Sequence, residues 1–245
     1  MELSLYTRPS DFSESESKGK CVVVIDVLRA SSTIVQACEN GVERIIPVAS
    51  VEDATKLVST LDRKKTLLGG EREGIKIDGF DLGNSPLEYT SKVVSGKTLI
   101  FSTSNGTIAI TRSAPAREVV LGCFLNLAAV ATHVISCRAK KVALLCAGNL
   151  GQLSLEDLVC GGHLVDRIVM GTRGRTALND GAVAARALAN ALGDVGEVVR
   201  SSSHGLRLAE LGFEGDLEFC SQVDRYGTAP VVVDGRISLQ NPHRR

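Results

Sequence analysis

The chain has 245 residues, with 28 Lys and Arg against 28 Asp and Glu, 44% hydrophobic and 4% aromatic residues, and no Trp. That composition excludes disorder over most of the chain, and a zero net charge with few aromatics argues against a nucleic-acid partner or a membrane-surface role. The length suits a single domain over residues 1–245, burying roughly 70–75% of the surface its unfolded form exposes.

Short β-branched runs alternate with helical periodicity. The pattern predicts a buried strand over 21–25, a helix over 31–40 stopped by Gly41, a strand over 44–48, a helix over 51–61 and a strand over 66–69. A Gly-rich loop over 70–85 leads to a helix over 86–94, a strand over 97–102 and a short helix over 105–112. Then come a strand over 118–122, a helix over 126–137, a strand over 141–146 and helices over 155–170 and 180–192. Shorter helices are expected over 193–201 and 204–211, then strands over 217–222 and 230–239, the latter turning at Asp234-Gly235. This alternation predicts a three-layer α/β/α fold with a largely parallel or mixed central sheet.

Seven cysteines (Cys21, Cys38, Cys123, Cys137, Cys146, Cys160 and Cys220) are odd in number and form no C-x-x-C pair. They fit neither a complete disulfide framework nor the usual structural zinc spacing, and read as small hydrophobes. No apolar run approaches the roughly 20 residues of a membrane helix. Residues 1–17 carry Asp11, Glu14 and Glu16 without the apolar core of a signal peptide. The expectation is a reduced, cytoplasmic, enzyme-like protein.

In open α/β sheets the ligand crevice lies beyond the carboxyl ends of the strands, which directs attention to four loops. The first is Asp26-Val27-Leu28-Arg29-Ala30-Ser31-Ser32-Thr33, where a strand-end acid and a base precede hydroxyls at a helix start. Metal and anion binding is one use of this set, and capping of the next helix is the other. The second loop holds Glu71, Arg72, Asp78, Asp81, Asn84 and Ser85 among glycines. Asp81 and Arg72 have no local structural role there, whereas Ser85-Pro86-Leu87-Glu88 also fits a capping box.

The third loop, Ser102-Thr103-Ser104-Asn105-Gly106-Thr107, puts hydroxyls, an amide and a glycine at a helix start, either as a phosphate cradle or as a plain Ser/Thr turn. The fourth runs from Cys146 through Gly148 to Ser154, Glu156 and Asp157, with Asp157 in capping-box spacing and Glu156 the freer carboxylate. Neither is a Walker A or dinucleotide fingerprint. His133, His163, Arg173, Arg175 and the Asp224-Arg225-Tyr226 string are lesser candidates, each as well explained by core or surface placement. Hard carboxylates with few His or Cys candidates select Mg²⁺ over zinc, and Arg with backbone N–H groups selects phosphate. Phosphoryl chemistry on a small anionic phosphorylated substrate is the inference. Homo-oligomerisation is left open.

Four motifs then stand out together: Asp26 to Ile34, Gly70-Glu71-Arg72 with Gly79 to Pro86, Thr103 to Thr107, and Cys146-Ala147-Gly148 with Ser154 to Asp157. In this order they resemble the 2-phosphosulfolactate phosphatase family. The likeness spans Asp26 to about Cys160, with residues 80–86 and 154–157 the most specific, and Asp224-Arg225-Tyr226 covering the last third loosely. Ser32 and Ser104 stand where the family often has Thr, which keeps the hydroxyl. The resemblance implies a three-layer α/β/α phosphatase that uses Mg²⁺ to hydrolyse (2R)-2-phospho-3-sulfolactate to 3-sulfolactate and phosphate, a step toward coenzyme M. A phosphatase of another phosphorylated hydroxy acid, or a non-catalytic anion-binding module, are the alternatives. Carried onto this chain, Asp26, Arg29 and Arg72 would be catalytic. Asp26, Asp81, Glu156 and Asp157 would hold the metal. Asn84, Ser85, Thr103, Ser104, Asn105, Gly106, Thr107 and Gly148 would bind the substrate.

Overall fold

The computed structural model describes residues 1–239. Among the described residues eleven strands form the sheet: β1 Glu2–Tyr6, β2 Cys21–Ile25, β3 Arg44–Pro47, β4 Thr66–Arg72, β5 Ile75–Lys76, β6 Thr98–Ser102, β7 Glu118–Gly122, β8 Lys141–Cys146, β9 Ala177–Leu178, β10 Val231–Val233 and β11 Arg236–Ser238. Their spatial order is β5-β4-β6-β3-β11-β10-β7-β2-β8-β1-β9. Pairings through β4, β6 and β3 on one side and β7, β2, β8, β1 and β9 on the other are parallel. The hairpin β10–β11 enters between them antiparallel to both β7 and β3.

The helices are α1 Glu14–Ser17, α2 Ala30–Glu39, α3 Val51–Val58, α4 Ser91–Val94, α5 Gly106–Arg112, α6 Leu127–Ser136, α7 Leu155–Gly171, α8 Asp180–Leu192, α9 Val195–Ser201, α10 Ser203–Glu210 and α11 Glu214–Cys220. Layering follows from strand periodicity, since successive side chains point to opposite faces. On β2, Cys21, Val23 and Ile25 join the core formed with α6, α7 and α8, while Val22 and Val24 join the core formed with α2 and α5. On β8, Val142, Leu144 and Cys146 face the first core, and Ala143 and Leu145 the second. A sheet covered on both faces demands apolar strands throughout, which is why Cys21–Ile25 is buried at every position.

The three-layer expectation therefore holds, with local differences. The run expected as a strand over 217–222 is the end of helix α11. Phe213, Leu217 and Cys220 lie on one side at helical spacing and pack on the first core, and a short apolar run does not distinguish the two periods. The N-terminal Glu2–Tyr6 is an added strand, with Leu3 and Leu5 pointing inward. The helix expected over 86–94 breaks into a 3-10 turn, Pro86–Glu88, and the four-residue α4. No helix among the described residues is long and apolar enough to cross a membrane.

Candidate active site

Loops leaving the carboxyl ends of β2, β4, β6 and β8 meet α10 around a cavity of about 340 Å³. Its walls include Asp26 and Arg29 after β2, Glu71 and Gly74 around the end of β4, and Asn84. Thr103, Ser104 and Asn105 come from the loop after β6, Asn149 from the loop after β8, and His204 and Arg207 from α10.

Asp26 leaves the fully apolar β2 with its Oδ1 accepting the Ala30 amide at 3.1 Å, and its own amide donates to the Ser31 hydroxyl. Burial lifts its carboxyl to about 6; His204 and the Ala30 amide pull it down, while Glu71 and Glu156 add to the rise. The start of α5 approaches so closely that a Cβ on Gly106 would lie 2.7 Å from Asp26 Oδ2 and 2.6 Å from the Ala30 Cβ. Only glycine permits that contact. The amides of Asn105 and Gly106 have no hydrogen-bond partner among the described residues, whereas those of Ser104 and Thr107 donate to Glu71 and Thr103.

Glu156 and Asp157 open α7 after the N-cap Ser154. They divide the work. Asp157 accepts the Val27 amide at 2.8 Å through Oδ1 and the Gly148 amide at 3.1 Å through Oδ2, tying the loop after β2 to the loop after β8. Burial and the charges of Asp26 and Glu156 push its pKa well up, against those two hydrogen bonds. Glu156 is 1% exposed, neither of its oxygens receives a hydrogen bond of acceptable geometry, and His204 Nδ1 lies 3.4 Å from Oε1. Burial raises the Glu156 carboxyl, but the facing imidazole outweighs it and the net shift is downward.

Arg29 is held rather than free. Its Nη1 donates to Asp216 Oδ2 at 2.7 Å, its Nη2 donates to the Gly74 carbonyl at 2.7 Å, and its guanidinium lies 4.2 Å from the Phe213 ring centre. The Ser85 hydroxyl donates to Asp216 Oδ1 at 2.5 Å, so Ser85 acts on the cavity through Asp216 and makes no side-chain cap on the following turn. Glu71 accepts the Ser104 amide and the Gly74 amide, each at 2.8 Å, and so joins the loop after β6 to the tip of the β4–β5 hairpin.

Of the predicted residues, Asp26, Arg29, Asn84, Thr103, Ser104 and Asn105 line the cavity; Ser85, Gly106, Glu156 and Asp157 stand behind its walls, and Arg72, Asp81, Thr107 and Gly148 are engaged elsewhere. Arg72 follows Glu71 on β4 and therefore faces the other side of the strand, donating to the Glu71 carbonyl and to the Ser102 hydroxyl. Asp81 accepts from Arg63 Nη2 at 2.8 Å and from the Leu68 amide at 2.8 Å. Thr107 is buried with its hydroxyl on the Thr103 carbonyl, and Gly148 is committed to Asp157. Of the lesser candidates, Arg173 and Arg175 are exposed beyond the far end of α7, about 25 Å along its axis. Asp224 pairs with Arg167 and accepts the Ala128 amide at the start of α6. His163 packs edge-on against Phe124, and His133 stands by Glu118. Sequence reasoning missed Asp216, His204 and Arg207, and named Glu71 in the second loop without giving it a role.

The family model for 2-phosphosulpholactate phosphatase matches residues 6–235. The chain belongs to this family of phosphoric monoester hydrolases. It is 40% identical over 237 residues to a probable 2-phosphosulfolactate phosphatase of Clostridium acetobutylicum, covering 97% of this chain and all of the relative. To a protein of the same description from Caldanaerobacter subterraneus subsp. tengcongensis it is 40% identical, over 96% and 97% of the two chains. With one from Thermotoga maritima it shares 42% identity over 90% and 92%.

A hard divalent cation fits part of the family-like acid set. The sequence expectation is that Asp26, Asp81 and Glu156 hold the metal directly or through water with Asp157 in support, and no three of the four bring oxygens within 4.8 Å of one another. Asp81 and Asp157 are occupied by Arg63 and by backbone amides. Asp26 and Glu156, whose oxygens accept no hydrogen bond and face His204, are the two carboxylates left. Mg²⁺ characteristically takes one or two carboxylates and completes its shell with water and substrate phosphate.

Proposed function

We propose that the chain is a Mg²⁺-dependent phosphatase that hydrolyses (2R)-2-phospho-3-sulfolactate to 3-sulfolactate and inorganic phosphate, a step toward coenzyme M in organisms that make it. The observation that carries this reading is a cavity walled by the Asp26 carboxyl, Arg29, Asn105 and His204, with the buried Glu156, whose oxygens accept no hydrogen bond, directly behind His204, and with unpartnered amides at the start of α5. A volume near 340 Å³ lies at the small end of ligand cavities, which run from roughly 300 to 1,000 Å³, and suits a compact polyanion.

Asp26 and Glu156 would hold the cation, which when bound supplies charge neutralisation at the phosphoryl oxygens. The Asn105 and Gly106 amides donate to one anionic group, with the Thr103 and Ser104 hydroxyls beside them. Arg29, fixed in direction by Asp216 and Gly74, offers a guanidinium edge to a second. Arg207, at the rim on α10, serves the third. His204 faces Glu156 through Nδ1 and keeps Nε2 for the proton that the departing alkoxide takes up. Water, rather than Asp26, attacks phosphorus: a nucleophilic Asp is commonly assisted by a second Asp two residues on, and that position is Leu28.

The test is phosphate release from 2-phospho-3-sulfolactate beside phospholactate and phosphoglycerate. A strong preference for the sulfonated substrate is expected. Equal release from the other two keeps the phosphatase and discards the sulfonate; no release from any of them puts an anion-binding module in its place.

A further inference from the structure

At the opposite edge of the sheet from the cavity, about 16 Å along β2 from Asp26, chemistry of another kind is assembled. Cys21 opens β2 and Glu118 opens β7, and the two are direct neighbours in the parallel ladder. Both point to the face covered by α6, as the packing of Cys21 and Val120 in the first core requires. The last turn of α6 brings His133, and Cys137 follows as the helix C-cap four residues later. That i, i+4 spacing places both side chains on one side of the helix.

The Cys21 and Cys137 sulfurs and a Glu118 oxygen all lie within 4.8 Å of one another, and among the described residues no other three such groups are so close. Both thiols are free, and His133 Nε2 stands 3.0 Å from Glu118 Oε1. We propose that Cys21, Cys137 and Glu118, with Glu118 oriented by His133, bind a thiophilic divalent cation of the zinc class.

Zinc–sulfur and zinc–oxygen distances of about 2.3 and 2.1 Å put tetrahedral ligand atoms roughly 3.5–3.8 Å apart, so atoms within 4.8 Å of one another need contract by about 1.3 Å at most. Two thiolates and a carboxylate select zinc over the Mg²⁺ proposed for the cavity. A ligating carboxylate characteristically has a partner of its own, and the His133 imidazole facing Glu118 at 3.0 Å stands in that place. Glu118 and His133 are each 20% exposed and Cys137 is half-buried, so the cation has access from solvent and the fourth position goes to water. The two thiol protons leave to solvent as the cation binds. Such a site ties the end of α6 to the starts of β2 and β7. The sequence hides it because Cys21, Glu118 and Cys137 are scattered and form no paired motif.

The test uses the full chain, reduced, stripped with a chelator and titrated first with Co²⁺ and then with Zn²⁺. One equivalent of Co²⁺ should give a sulfur-to-cobalt charge-transfer absorption in the near ultraviolet, removed by one equivalent of Zn²⁺. Cys137→Ser and Glu118→Gln should each abolish or strongly weaken it, provided their metal-free circular dichroism matches that of the wild type. His133→Asn should weaken affinity roughly 10–100-fold. Asp26→Asn should leave the absorption unchanged, separating this site from the cavity. Absence of the absorption in the wild type, its survival in Cys137→Ser, or the loss of two thiols to a Cys21–Cys137 disulfide in place of metal uptake would overturn the proposal.

Discussion

Replacing Asp216 with Asn isolates the buried pair that sets the direction of Arg29. Both side chains are 2% exposed and 2.7 Å apart, so neutralising one leaves a guanidinium charge away from water. Breaking a buried pair in this way costs about 3–5 kcal/mol, and because Asn keeps the shape and a hydrogen-bonding oxygen, ~3 kcal/mol is the expected value. In a chain of this size each kcal/mol moves Tm by roughly 2–4 °C, so a fall of roughly 6–12 °C is expected. The assay is thermal denaturation of the wild type, Asp216→Asn, Arg29→Met and the double variant Arg29→Met/Asp216→Leu, with phosphate release measured on each. Removing both charges leaves no stranded ion, so the double variant should regain most of the lost Tm. It should not regain activity, because the guanidinium that meets the anion is gone. A Tm for Asp216→Asn within about 2 °C of the wild type, or a double variant no more stable than the worse single variant, would show that the pair does not hold Arg29 in this way.

Gly106→Ala forces a Cβ to within 2.7 Å of Asp26 Oδ2; overpacking of this kind costs about 1–3 kcal/mol, and displacement of Asp26 should lower kcat far more than it raises KM in steady-state assays. Asp157→Asn puts an amide donor against one of two backbone N–H donors, Val27 or Gly148, and should destabilise by about 1–3 kcal/mol in denaturant titration. The Asp81 carboxyl, where burial is outweighed by hydrogen bonds from Arg63 and the Leu68 amide and by the Arg63 charge, has a lowered pKa. Its stabilisation is therefore complete above the unfolded-state pKa and is lost as pH falls through the lower folded value. Asp81→Asn should cost about 0.5–1 kcal/mol at neutral pH because Arg63 is largely exposed, with the difference from wild type closing on acidification, and it should retain phosphate release. Direct attack by water predicts that rapid acid quench during turnover yields no phosphorylated Asp26; a trapped phosphoaspartate would reverse that assignment.

Strands doubly covered by helices are the most legible part of the chain. The runs Cys21–Ile25, Glu118–Gly122 and Lys141–Cys146 match the expected strands residue for residue, because burial on both faces leaves an uninterrupted apolar signature. The loops beyond the carboxyl ends of the strands point to Asp26, Arg29, Asn84 and residues 103–105, and all of these line the cavity. Arg72 departs from expectation because its strand does not stop at residue 69; with β4 running to Arg72, alternation sends Glu71 inward and Arg72 outward. Asp216 lies 187 residues from the Arg29 it neutralises, and no local pattern marks an acid whose partner is that distant. His204 is equally silent, since its role depends on α10 folding back over the start of α7, beside Glu156.

The most direct test of the central claim is phosphate release from 2-phospho-3-sulfolactate by wild type, Asp26→Asn and Glu156→Gln, with Mg²⁺ and after chelation. Release by the wild type should be lost on chelation and restored by Mg²⁺, and should drop about 100-fold or more in each variant. Release that survives chelation, or that persists in both variants, would place the chemistry elsewhere and contradict that claim.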